Sequence, residues 1–148
     1  MKRNLSIKLL ILALLLLAPA AAQAKENWTS IRSQNFLLIG NAGENEMRKV
    51  ATRLEQFRQS LLLLFPRLRI ESPVPTTVII FRNHDSFRPF KPLYKGKTQE
   101  NVGGYFISRP DINYIALTAE TRGASPYEVI FHEYEHFITR QNLRRAPP

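Results

Sequence analysis

The 148-residue chain has no cysteine. It can therefore form no disulfide and carry no lipid-modified cysteine. Histidine is nearly as scarce: only His84, His132 and His136 are present, so chemistry that needs an imidazole is confined to three positions. There is no internal repeat and no long low-complexity tract. Acidic residues are outnumbered, 12 against 21 Lys and Arg, for a formal net charge of +9. That excess could favour anionic envelope surfaces or acidic substrates. The basic residues are scattered, with short concentrations at Arg67/Arg69, Arg82–Lys97 and Arg144/Arg145. No basic-aromatic platform or nucleic-acid-binding signature accompanies them, so no nucleic-acid partner is expected.

Residues 1–24 read as a secretory signal peptide. Lys2, Arg3 and Lys8 form a positive start, Leu9 to Ala18 is apolar, and Ala22-Gln23-Ala24 is an A-x-A cleavage signal. The apolar run is shorter than the roughly 20 residues of a membrane span, and Pro19 follows it. The expectation is an exported protein, periplasmic or secreted, with no transmembrane segment in the mature chain. Residues 25–148 suffice for one domain with a real core.

Trp28 to Ile39 is strand-like and ends at Gly40-Asn41. From Glu44 to Phe65, the residues Met47, Val50, Ala51, Leu54, Phe57, Leu61, Leu64 and Phe65 recur at helical spacing. Glu44 and Glu46 suit the positive end of that helix, and Pro66 stops it. Val74 to Phe81 is a β-branched run typical of a buried strand. Asp85 to Tyr94 holds room for a short helix broken by Pro89 and Pro92, and Lys95 to Gly104 reads as a polar loop. Tyr105–Ser108 and Asn113–Leu117 form a hairpin whose tight turn suits Pro110 and Asp111. The fold expected is α+β, with a mixed sheet, a long N-terminal amphipathic helix and a final helix packed on the sheet.

That last helix has a clear start. Ser125 is a natural N-cap, Pro126 fits the first helical position, and Glu128 completes an S-x-x-E capping box. Residues 132–136 read His-Glu-Tyr-Glu-His. Two histidines four apart on a helix share a face, where their rings can converge on one Zn²⁺ at about 2.0–2.1 Å. At 100° per residue, Phe137, Ile130, Tyr134, Tyr127, Ile138 and Phe131 fill one arc of about 120°. His132 and His136 fall nearly opposite, where a core histidine would not. Chance order yields H-E-x-x-H about once in 250 chains of this composition, so the spacing alone is not decisive. The wheel does not choose between Glu133 and Glu135 as the carboxylate beside the metal.

Val129 to Ile138 (VIFHEYEHFI) resembles the active-site helix of the zincin metallopeptidases. It is most similar to the gluzincin branch with a thermolysin-like catalytic core, including exported bacterial peptidase-like domains. The likeness is strongest over residues 125–138 and extends loosely to the preceding hairpin and to Trp28…Ser33-Gln34-Asn35-Phe36. It implies a zincin-like domain over residues 25–148 that hydrolyses a peptide or protein substrate. His132 and His136 would be zinc ligands and Glu133 the general base. It also implies a strand lining the cleft and pairing with substrate backbone; Tyr105–Ser108 or Asn113–Leu117 could serve.

Two positions depart from the family. Glu135 is charged where an uncharged residue is usual, and no downstream glutamate serves as third ligand. Phe137 to Pro148 contains no Asp, Glu, His or Cys. Three readings follow. The chain is incomplete at its C-terminus, or it is a truncated relative that cleaves nothing, or His84-Asp85 supplies a ligand from upstream. Asn83 or Asp85 could equally cap a short helix there. Asp111 reads as a turn residue and Glu120 as part of the loop before the last helix. The alternative to a zinc peptidase is a non-catalytic envelope protein that binds an anionic partner through its basic surface.

Overall fold

The computed structural model describes residues 26–72, 74–120 and 125–143. The expected signal peptide and the Arg144/Arg145 pair lie outside the described residues. Trp28 to Ile39 is two strands rather than one: β1 (Thr29–Arg32) and β2 (Phe36–Gly40) form an antiparallel pair. Ser33, Gln34 and Asn35 make the reversal, and Glu55 holds it. Its carboxylate accepts from the Ser33 hydroxyl, the Asn35 N–H and the Asn35 Nδ2, each at 2.7 Å.

Glu55 belongs to α1 (Glu44–Leu64), which carries Glu44 and Glu46 in its first turn and ends just before Phe65-Pro66. Met47, Val50, Ala51 and Leu54 are buried as the spacing requires. The same stripe fails at its far end, where Leu64 and Phe65 are 71% and 56% exposed. A 21-residue helix is about 31 Å long, whereas strands of five or six residues span only about 17–20 Å. The last turn overhangs the sheet.

β3 (Thr76–Phe81) leads into α2 (His84–Phe87), which passes into a 3₁₀ turn at Arg88–Phe90 where Pro89 interrupts it. Asn83 caps α2, accepting from the Ser86 N–H at 3.0 Å. A small hairpin spans the expected boundary at Lys95: β4 (Leu93–Tyr94) ends the stretch expected to hold a short helix, and β5 (Lys97–Thr98) lies in the stretch expected as a loop. β6 (Gly104–Ser108) and β7 (Asn113–Thr118) form the expected hairpin, closed by the Arg109 N–H donating to the Ile112 carbonyl at 2.8 Å. The last described element is α3 (Pro126–Asn142). No helix among the described residues is long and apolar enough to cross a membrane.

The main sheet is mixed, in the order β1-β2-β3-β7-β6. β2, β3 and β7 run parallel, with antiparallel β1 and β6 at the edges. Strand period two puts Phe36, Leu38, Val78, Ile80, Ile115 and Leu117 on one face, all buried. They meet the buried stripe of α1 and that of α3, Ile130, Tyr134, Phe137 and Ile138. On the other face a smaller cluster joins Phe81, Phe87 and Ala116.

α3 sets the Val129 side chain so close to β6 that a side chain at position 104 would crowd it. A Cβ there would lie 2.7 Å from Val129 Cγ1 and 3.2 Å from the Ala116 carbonyl oxygen. Gly104→Val should cost about 1–3 kcal/mol of stability in urea unfolding, as overpacking does, and adding Val129→Ala should recover most of the loss. A second test concerns Glu55. Burial pushes its pKa up, but the Ser33 and Asn35 hydrogen bonds and Arg58 outweigh this, leaving it below 4.5. A lowered folded-state pKa stabilises above the unfolded value, and that stability is lost as pH falls through the folded one. Glu55→Gln should be less stable than wild type at pH 7, and the difference should shrink as pH drops below about 4 in acid-unfolding curves.

Candidate metal centre

α3 is fixed at both ends. Ser125 Oγ accepts from the Tyr127 N–H at 3.2 Å, with Pro126 in the first turn. The cap therefore closes on the second turn residue, and Glu128 lies exposed rather than completing a capping box. At the other end Asn142 pairs with the backbone of Arg69. Its Oδ1 accepts from the Arg69 N–H at 2.9 Å and its Nδ2 donates to the Arg69 carbonyl at 2.8 Å. Between these ends, aromatic contacts set the helix's rotation. Phe131 stacks on Phe57 with centroids 4.3 Å apart, Tyr134 meets Phe36 edge-on at 5.4 Å, and Phe137 meets Phe106 at 6.1 Å.

With that rotation fixed, His132 and His136 are exposed on the outer side of the helix. Their ring centroids are 4.7 Å apart, with the planes at 78°. Two imidazoles so close together suit a shared Zn²⁺, whose nitrogen ligands sit about 2 Å from the ion. The donor chemistry fits zinc, but it provides only two of the three protein ligands a catalytic ion takes. Among the described residues, no group of three or more His, Asp or Glu side chains is gathered in a way that could hold a metal.

His84 does not join the pair. It starts α2, whose Phe87 packs in the cluster on the face of the sheet opposite α3. Its N–H donates to Glu120 Oε2 at 3.1 Å, and its Nε2 is buried without a partner. The upstream-ligand reading therefore finds no support in this arrangement. Glu120, expected only as a loop residue, ties that loop to α2.

The two glutamates that the helical wheel could not separate have different surroundings. Glu135 is exposed, whereas Glu133 is 9% exposed and faces β6. Burial raises the Glu133 pKa above 4.5; the charges of His136 and His132 and the Phe106 backbone N–H oppose that rise without cancelling it. Phe106 can point its N–H there because β6 is an edge strand. The Thr118 N–H donates to the Gly103 carbonyl and the Arg109 N–H to that of Ile112. With the β6–β7 register, these bonds fix the alternation. Tyr105 and Ile107 bond β7, while the backbone groups of Gly104, Phe106 and Ser108 point away from it. β7 is paired on both sides, so of the two strands expected to line a cleft only β6 has a free edge.

The basic concentration at Arg82–Lys97 is partly consumed internally. Lys91 is 6% exposed and donates its Nζ to the Glu100 carbonyl, and Arg88 pairs with the Glu100 carboxylate at 3.3 Å. Helical spacing would also have shown Arg140 on the His132–His136 face, one turn further on. In comparisons with known proteins, no family model and no curated protein matches the chain.

A raised carboxyl pKa means the folded protein holds that proton more tightly than the unfolded chain. In the metal-free protein, Glu133 therefore lowers stability as pH rises from the unfolded value through the folded one. Glu133→Gln should be more stable than wild type in urea unfolding at pH 7 without metal, with the advantage fading below pH about 4.

Proposed function

We propose that the chain is an exported zinc-dependent metallopeptidase domain of the gluzincin type. The observation that carries this reading is the association of three features around one helix. The paired imidazoles of His132 and His136 face outward, Glu133 lies between them and the sheet, and the free edge of β6 runs alongside. His132 and His136 would hold the ion. Bound there, zinc supplies a Lewis acid that polarises a scissile carbonyl and acidifies an attacking water.

The chain's own residues do the rest. An extended peptide adds to the open edge of β6 through backbone hydrogen bonds. The groups of Gly104 and Ser108 are available for this, since the Phe106 N–H already faces Glu133. Glu133 takes a proton from the attacking water at its carboxylate and returns it to the leaving amine. Its burial favours this role, because a carboxyl with a raised pKa is a better base than an exposed one. Glu135, exposed to solvent, has no such advantage. The zincin-like arrangement and the signal peptide at residues 1–24 belong to the same reading.

A second reading has one observation in its favour, the lack of a third ligand among the described residues. It takes the chain as a non-catalytic envelope protein that binds an anionic partner through its basic surface. Zinc titration against a chromophoric chelator separates the two. Under the peptidase reading, His132→Ala and His136→Ala each abolish zinc binding and hydrolysis. Glu133→Ala keeps the zinc but lowers hydrolysis of a casein substrate by about 10²–10⁴-fold. Partner binding that survives both histidine substitutions and weakens with salt favours the second reading.

A further inference from the structure

A cleft of ≈ 580 Å³ opens where the C-terminal end of α3 meets the turn between β6 and β7. Such a volume is typical of small-ligand sites. Its lining includes Ser72, Ser108, Arg109, Asn113, Arg140 and Gln141. Two features give it a chemical preference. Arg109 and Arg140 both border it, and neither belongs to the ion pairs formed among the described residues. Asn113 is 3% exposed and donates its Nδ2 to Ser72 Oγ and to the Val74 carbonyl, each at 3.2 Å. Its Oδ1 is buried without a partner. An unpaired buried carbonyl is destabilising and is relieved by a donor. The cleft thus offers two guanidinium groups for an anion, with the buried amide of Asn113 in its wall.

Its position relates it to the metal centre. Arg140 follows His136 by four residues and His132 by eight, so the three share one helix face. One helical turn is about 5.4 Å, and a strand residue spans about 3.3 Å. Ser108, whose backbone points off the edge of β6, borders the same cleft. Glu133 to Arg140 is seven residues, about 10.5 Å of helix, so a peptide lying along that edge would reach the arginines about three residues from the bond presented to Glu133.

The geometry points to a carboxylate subsite at this cleft. Arg109 and Arg140 hold a substrate carboxylate in bidentate fashion. The subsite rests on the peptidase reading for its place in a substrate groove, and it makes the protein selective for acidic peptides. The carboxylate could come from an acidic side chain or from a peptide's free C-terminus.

The test is fluorescence anisotropy with N-terminally labelled heptapeptides and the full chain in EDTA, where nothing is cleaved. One peptide pair differs by a free or amidated C-terminus, and a second by an internal Glu or Gln. At least a tenfold preference for the acidic member of either pair is expected, and the pair that shows it identifies the source of the carboxylate. Arg109→Gln and Arg140→Gln should each remove most of that preference, in protein whose circular dichroism is unchanged. Equal binding within both pairs overturns the subsite. So does a preference that persists in the double arginine variant, or no binding of any peptide at millimolar concentration. Hydrolysis by zinc-loaded protein is measured alongside. Cleavage indifferent to acidity removes the subsite and leaves the peptidase reading; acid-selective binding without cleavage does the reverse.

Discussion

The seating of α3 against the sheet governs the rest of the structure. Ile130, Tyr134, Phe137 and Ile138 must be buried, and each large apolar side chain contributes about 1.5–3 kcal/mol when removed from water. Four such residues allow the helix one rotation. Gly104 then leaves room on β6 for the Val129 side chain of α3, which a Cβ there would crowd. The outward direction of the two histidines and the inward direction of Glu133 both follow from this packing. The geometry of the motif thus depends on residues outside it.

A carboxylate under a strand edge is ordinarily a cost to folding, because burial penalises its charge. Here two histidines and a backbone N–H offset part of that cost. Natural proteins often place such local conflicts where chemistry occurs. The contrast with Glu55 makes the point within one molecule. That carboxylate is met by three short hydrogen bonds, and its pKa falls. Glu55 holds a turn in place, whereas Glu133 is left able to accept a proton.

Much of the fold was legible along the chain, and the failures have identifiable causes. The apolar spacing of α1 correctly marked Met47 to Leu54 but also marked Leu64 and Phe65, since periodicity carries no information about where the sheet beneath ends. Trp28 to Ile39 read as one strand because the turn at Ser33–Asn35 is held by a glutamate 20 residues away. The Ser125 cap was readable, yet its reciprocal contact with Glu128 did not form. The β6–β7 hairpin was placed nearly to the residue, because Pro110 and Asp111 sit between two β-branched and aromatic runs.

For the candidate site, the sequence by itself determined that His132 and His136 would share a helix face and turn away from the core. Helical geometry and the apolar stripe suffice for both. It could not tell Glu133 from Glu135, which flank the pair symmetrically on an isolated helix. Only the tertiary structure broke that symmetry, by laying the edge strand β6 along one side of α3 and leaving water on the other. The same packing put His84 across the sheet from the pair and brought Arg109, Asn113 and Arg140 around one cleft. Those relations are distances between segments far apart in the chain, set by how layers pack, and no local pattern encodes them.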